Sequence, residues 1–168
     1  SKRKVNRFKG QIGCTISHIK IWEEVVKNKY NRALVLEDDA MILNKNIKIH
    51  VNNLIKELPE KYNIVLLGGS ILRGRLIKNK SYIINGSKLP KTNWFTTGYI
   101  INYKFAKFVL NKMKKEKTPF TVDEFLMRRV YPFLNYYLSV VPQLKQNKVF
   151  ETDIIKSPVY SKLIIDFD

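Results

Sequence analysis

Cysteine is almost absent from this chain, with Cys14 the sole one among 168 residues. No intrachain disulfide can form, the usage agrees with a reducing compartment, and zinc sites of the Cys-rich kind are excluded. Acids are scarce as well, 14 Asp+Glu against 31 Lys+Arg, which leaves a formal net charge of +17. That excess favours anionic partners such as nucleic acid, lipid headgroups or phosphorylated substrates, without choosing among them. No apolar run reaches the ~18 residues of a membrane-spanning helix, so no span is expected. The basic opening SKRKVNRFKG leads into no apolar core of a secretory leader. GxSxG, HExxH and GxxxxGK patterns are missing, as are internal repeats and low-complexity linkers. What is present is 45% hydrophobic content in a length suited to one compact domain, residues 1–168.

Apolar residues Ile16, Ile19, Trp22, Val25 and Val26 recur at spacings of three and four. They predict an amphipathic helix from Cys14 to about Lys27, entered through Gly10 and Gly13. Leu34 to Leu36 reads as a strand buried on both faces, Ile47 to Leu58 as a helix closed by Pro59, and Asn63 to Leu67 as a second buried strand before Gly68 and Gly69. This succession makes an α/β unit. Residues Arg73 to Trp94 are expected to form loops around a short strand at Tyr82 to Ile84. Tyr99 to Asn102 is a further strand, Phe105 to Met113 a helix, another helix begins near Thr121, and Leu138 to Val141 is a last core strand stopped by Pro142. The cluster Lys112, Lys114, Lys115 and Lys117 reads as a solvated helix end with cations placed against the dipole.

Four constellations carry chemical potential. In ALVLEDDA the apolar run ends in Glu37, Asp38 and Asp39, at the carboxyl end of a strand, where open α/β sheets place ligands. Adjacent carboxylates repel, and a hard divalent cation such as magnesium or manganese relieves the repulsion; a helix N-cap and first turn is the alternative. Thr121 and Glu124 have the spacing of a capping box. The cap leaves Asp123 free to take a proton from a hydroxyl, or to serve as a first-turn acid only. In Trp94-Phe95-Thr96-Thr97-Gly98-Tyr99, Gly98 either permits close packing or lets backbone approach a ligand, with Thr96 or Thr97 on sugar hydroxyls. His18, beside Ser17, is either a satisfied structural group or a base.

Taken in order, GQIGCTISHIKIWEEVV, ALVLEDDA, IVLLGG, TTGYIINYKFAKFVL, PFTVDEFL and QNKVFETDI resemble glycosyltransferase family 25, from about residue 10 to residue 155. That family includes lipopolysaccharide galactosyltransferases and collagen hydroxylysine galactosyltransferases. The resemblance implies a GT-A fold, a Rossmann-like α/β sheet that binds a UDP-sugar, with Mn2+ or Mg2+ at the acidic motif. It further implies Glu37 and Asp39 as metal ligands and Asp38 on the ribose or sugar. Thr97, Gly98 and His18 fall to the donor pocket, Asp123 is the base and Glu124 the second candidate. Family members usually carry an N-terminal strand and an Arg-containing loop before the GxIGC region, so the expected domain is N-terminally shortened.

The expected activity is metal-dependent transfer of a hexose, galactose in this reading, to a hydroxyl of a glycan or hydroxylysine-like acceptor. The alternatives are a basic non-enzymatic module on nucleic acid or anionic membrane, and an inactive relative. Nucleic acid is the weaker partner, because the lysines form no single stripe and no RNA-binding or helix-turn-helix signature occurs. A cytoplasmic enzyme peripheral to anionic lipid is expected, with the endoplasmic reticulum lumen as the alternative.

Overall fold

The structure is a computed structural model that describes residues 2–43, 45–68, 83–85, 96–116, 121–139, 144–146 and 165–166. Helix α1 spans Lys2–Asn28, β1 Ala33–Leu36, β2 Ala40–Ile42, α2 Ile47–Glu57, β3 Ile64–Leu66 and β4 Ile83–Asn85. After these come β5 Gly98–Ile101, α3 Tyr103–Met113, α4 Val122–Phe125, β6 Tyr136–Ser139, β7 Leu144–Gln146 and β8 Ile165–Asp166. A π turn at Leu126–Val130 and a 3-10 turn at Tyr131–Phe133 carry α4 towards β6. No helix among the described residues is long and apolar enough to cross a membrane.

Six strands form one mixed sheet in the order β4-β6-β3-β5-β1-β8. Central strand β5 runs antiparallel to both β1 and β3, while β3 and β6 are parallel. Alternation along the strands supplies two cores. Val35, Ile64, Leu66, Tyr99, Ile101 and Leu138 pack against α1, α3 and α4, and Leu34, Val65, Ile100 and Tyr137 pack against α2. The sheet is thus covered on both faces, which explains why its strands read as unbroken apolar runs.

Several expected elements need correction. Helix α1 begins at Lys2 rather than near Cys14, so Gly10 and Gly13 lie inside it. Two isolated glycines cost about 1 kcal/mol each relative to alanine, too little to stop a helix rich in lysine and isoleucine. Ile16 is not on the buried face but 45% exposed; Trp22 and Val25 are the fully buried anchors. The acids of ALVLEDDA form a tight turn, with the Ala40 amide donating to the Glu37 carbonyl at 3.1 Å, so the helix-cap alternative fails. The turn leads into β2, which the sequence reading missed and which pairs with β7 in a separate ribbon. The strand at residues 136–139 is not the last one, because β7 and β8 follow. The strand expected at Tyr82 to Ile84 is found at Ile83–Asn85. Trp94, Phe95, Gly69, Lys117, Val141, Pro142 and the QNKVFETDI stretch beyond Gln146 lie outside the described residues.

Candidate active site

Chain direction brings four segments to one end of the sheet. Strand β1 leaves its core at Leu36 and delivers Glu37, Asp38 and Asp39. Thr96 and Thr97 lead into β5 at the same end, where Gly98 stands opposite Leu36. The Glu37 amide donates to the Thr97 carbonyl at 3.0 Å, which locks the two segments together. Helix α1 contributes Cys14, His18 and Trp22, spaced by four and therefore on one face. Helix α4 brings Asp123 in its first turn.

Glu37 is the hub. Its Oε1 accepts a hydrogen bond from the Thr96 hydroxyl at 2.6 Å and lies 3.4 Å from His18 Nε2, an ion pair whenever the imidazole is protonated. His18 is 3% exposed, and its Nδ1 lies 2.6 Å from the Tyr99 hydroxyl. Trp22 Nε1 donates to that same hydroxyl at 3.1 Å. Trp22 can only donate, so the Tyr99 oxygen must accept from it. His18 is therefore a satisfied core group that also touches the acidic motif.

Asp123 sits beside this hub. Burial pushes its carboxyl up to about 6; the Thr96 hydroxyl, in hydrogen-bonding reach, opposes the shift, the Glu37 charge adds to it and His18 opposes it. One Asp123 oxygen, Oδ1, is buried without a hydrogen-bond partner among the described residues. Burial also pushes the Cys14 thiol up to about 12, reinforced by the charges of Glu37, Asp123, Asp38 and Asp39. All four carboxylates act on the one thiol, although they come from two distant stretches of sequence. Tyr131 titrates well above the tyrosine range, through burial first and Asp123 second.

Not every expected residue joins the cluster in the same way. The Glu124 carboxylate pairs with Arg128 Nε at 2.9 Å, one helical turn on, with the arginine side chain 61% exposed. Its amide donates to Thr121 Oγ1 at 3.3 Å, so the Thr121 half of the capping box is present. Gly98 is buried, and a Cβ there would run into Leu144 Cδ1 and meet Leu36 Cδ2 at 3.0 Å. Close packing is enough to account for that glycine. Thr97 is 2% exposed and contributes its carbonyl. Asp38 is exposed, whereas Glu37 and Asp39 are half-buried. The residues that sequence reasoning did not assign to the site are Cys14, Tyr99 and Trp22; the four-residue spacing of Cys14, His18 and Trp22 was the available signal.

A family model described as glycosyltransferase family 25 (LPS biosynthesis protein) matches residues 3–126. Procollagen galactosyltransferase 1 of Danio rerio is 28% identical over 140 residues, 80% of this chain and 23% of that protein. Lipooligosaccharide biosynthesis protein lex-1 of Haemophilus influenzae is 29% identical over 137 residues, 76% of this chain and 45% of its own length. A probable inactive glycosyltransferase 25 family member 3 of Bos taurus is 28% identical over 126 residues, 70% of this chain and 20% of that protein. The chain therefore spans under half the length of these curated relatives. With a family match running from α1 through the acidic turn to Asp123 and the start of the π turn, the chain belongs to glycosyltransferase family 25.

Proposed function

We propose that residues 1–168 form a single glycosyltransferase domain of the GT-A type that moves a hexose from a UDP-sugar to an acceptor hydroxyl. Galactose is the sugar, and a glycan or a hydroxylysine-like side chain the acceptor. One observation carries this reading: Glu37, from the turn after β1, and Asp123, from α4, both lie within hydrogen-bonding reach of the Thr96 hydroxyl. The donor set fits a hard cation by its chemistry, since the turn offers three adjacent carboxylates. Glu37 and Asp39 are the residues to hold Mn2+ or Mg2+, with Asp38 on the ribose or sugar. When bound, such a cation supplies charge stabilisation for the departing diphosphate.

The chain's own residues do the rest. Asp123, pushed up to about 6, is close to neutral pH and suited to accept the proton of an acceptor hydroxyl. Glu124, held by Arg128, is the weaker candidate for that role. Thr96 and His18 fix the orientation of Glu37, while Thr97 and Gly98 shape the wall beneath the donor through backbone and packing. The +17 charge supports a peripheral position on an anionic membrane in the cytoplasm, the endoplasmic reticulum lumen being the setting for a collagen-type acceptor.

The test is UDP-galactose turnover with Mn2+ in the parent protein and in Asp39→Ala. Metal-dependent turnover that is lost in the variant supports the reading. If the protein neither binds UDP with metal nor responds to loss of Asp39, the reading fails. UDP binding without turnover assigns the chain to the inactive branch that some relatives' names describe. Affinity for nucleic acid that falls steeply with salt and ignores loss of the acids indicates a basic binding module instead.

A further inference from the structure

We propose that Cys14, His18 and Glu37 form a binding site for a thiophilic divalent cation of the zinc type, distinct in ligand chemistry from the hard-cation pair Glu37 and Asp39. One ligand atom from each of the three residues lies within 4.8 Å of the other two. The spacing between His18 Nε2 and Glu37 Oε1, 3.4 Å, already matches the edge of a tetrahedral zinc site, about 3.4 Å for bonds of ~2.1 Å. Closing the two edges to sulfur, about 3.6 Å each, requires a contraction of about 1.2 Å at most, within the reach of side-chain rotation. Cys14 and His18 stand one turn apart on the same face of α1, so two of the three ligands come from one rigid element.

The ligand types select the cation. A thiolate, an imidazole and a carboxylate suit zinc or cobalt, whereas magnesium and manganese prefer oxygen alone. Three protein ligands leave a fourth position for water or substrate, as in open zinc sites. An outer partner is also in place, because Tyr99 lies 2.6 Å from His18 Nδ1. A metal on Nε2 fixes the imidazole proton at Nδ1, donated to the Tyr99 oxygen. Glu37 belongs to both ligand sets, so zinc here withdraws it from the acidic turn; only that consequence rests on the transferase reading.

Untagged, metal-free protein is titrated with Co2+ alone, with no nucleotide or acceptor present. Because Cys14 is the chain's sole cysteine, a near-ultraviolet thiolate-to-cobalt band reports this site and no other. The band is expected in the parent, to be bleached by Zn2+ and to be absent from Cys14→Ser with an unchanged thermal melt. His18→Gln and Glu37→Gln are each expected to weaken Zn2+ binding at least about tenfold. A parent without the band, a band that survives in Cys14→Ser, or Zn2+ affinity unchanged in both other variants overturns the proposal. None of these readouts uses UDP-galactose turnover, so the two readings fail separately.

Discussion

Thr96 donates its hydroxyl proton to Glu37 at 2.6 Å while standing within hydrogen-bonding reach of Asp123, so one proton serves two carboxylates. A threonine hydroxyl has a single hydrogen to give. The bond to Glu37 and the opposition to the Asp123 shift therefore compete, and any ligand that occupies one carboxylate frees the hydroxyl for the other.

Thr96→Val keeps the shape and removes the donor. Stability should fall by about 1–3 kcal/mol in urea denaturation, because Glu37 loses its shortest hydrogen bond in a half-buried site. The hydroxyl holds Asp123 down, so its loss raises the carboxyl further. The acid limb of the transfer-rate profile should move to higher pH. Thr96→Ser should restore both properties.

Asp123→Asn separates stability from activity. The folded-state value of about 6 lies above the ordinary 3.8, so the folded chain holds this proton more tightly than the unfolded chain. Stability from this group is full below the ordinary value and is lost as pH rises through the folded one. The asparagine variant should thus be more stable than the parent at neutral pH by on the order of 1–2 kcal/mol, discounted for partial exposure, and no more stable in acid. Transfer should drop by about 10²–10⁴. Parallel urea titrations on either side of the transition check the first part, and initial rates the second.

Tyr99→Phe tests the buried chain from Trp22 to Glu37. The ring still packs, but the Trp22 N–H and His18 Nδ1 both lose the phenolic oxygen. A loss of about 1–3 kcal/mol is expected, read from chemical denaturation, and adding Trp22→Phe should recover part of it by removing the stranded donor.

Gly98→Ala tests the packing explanation for the glycine. Leu144 is fully buried and Leu36 is half-buried, so an added methyl has little room to displace them. About 1–3 kcal/mol of destabilisation is expected from overpacking. If the melt is unchanged and only donor affinity falls, the glycine is serving the ligand instead.

Much of the frame was legible because local pattern encoded it. Leu34 to Leu36 and Ile64 to Leu66 are apolar on both faces, and α2 ends at Glu57, one residue short of the Leu58 read ahead of Pro59. Asn102 was placed at the end of a strand; its side chain instead caps α3, accepting from the Phe105 amide at 2.9 Å. Less visible were features set by distant partners. Strand β2 is three residues long and two of them are exposed, so its strand character comes from β7 about a hundred residues on, not from its own side chains. At the site, the acids announced themselves by charge. Cys14 and Tyr99 did not, since their roles depend on α1 and β5 meeting in space.

The ribbon of β2 and β7 bears on the acidic turn in a further way. Upstream, β1 anchors the turn in the main sheet. Downstream, β2 runs along β7, whose Leu144 amide donates to the Leu67 carbonyl and bridges Gly68. Three mutually repelling carboxylates are thereby held at a seam between two sheets, where neither end of the turn can swing away. Ordering a free segment costs about 1–2 kcal/mol per residue in backbone entropy. Residues 37–39 meet that cost during folding, so a ligand arriving there finds its donors already ordered, and affinity can be spent on chemistry.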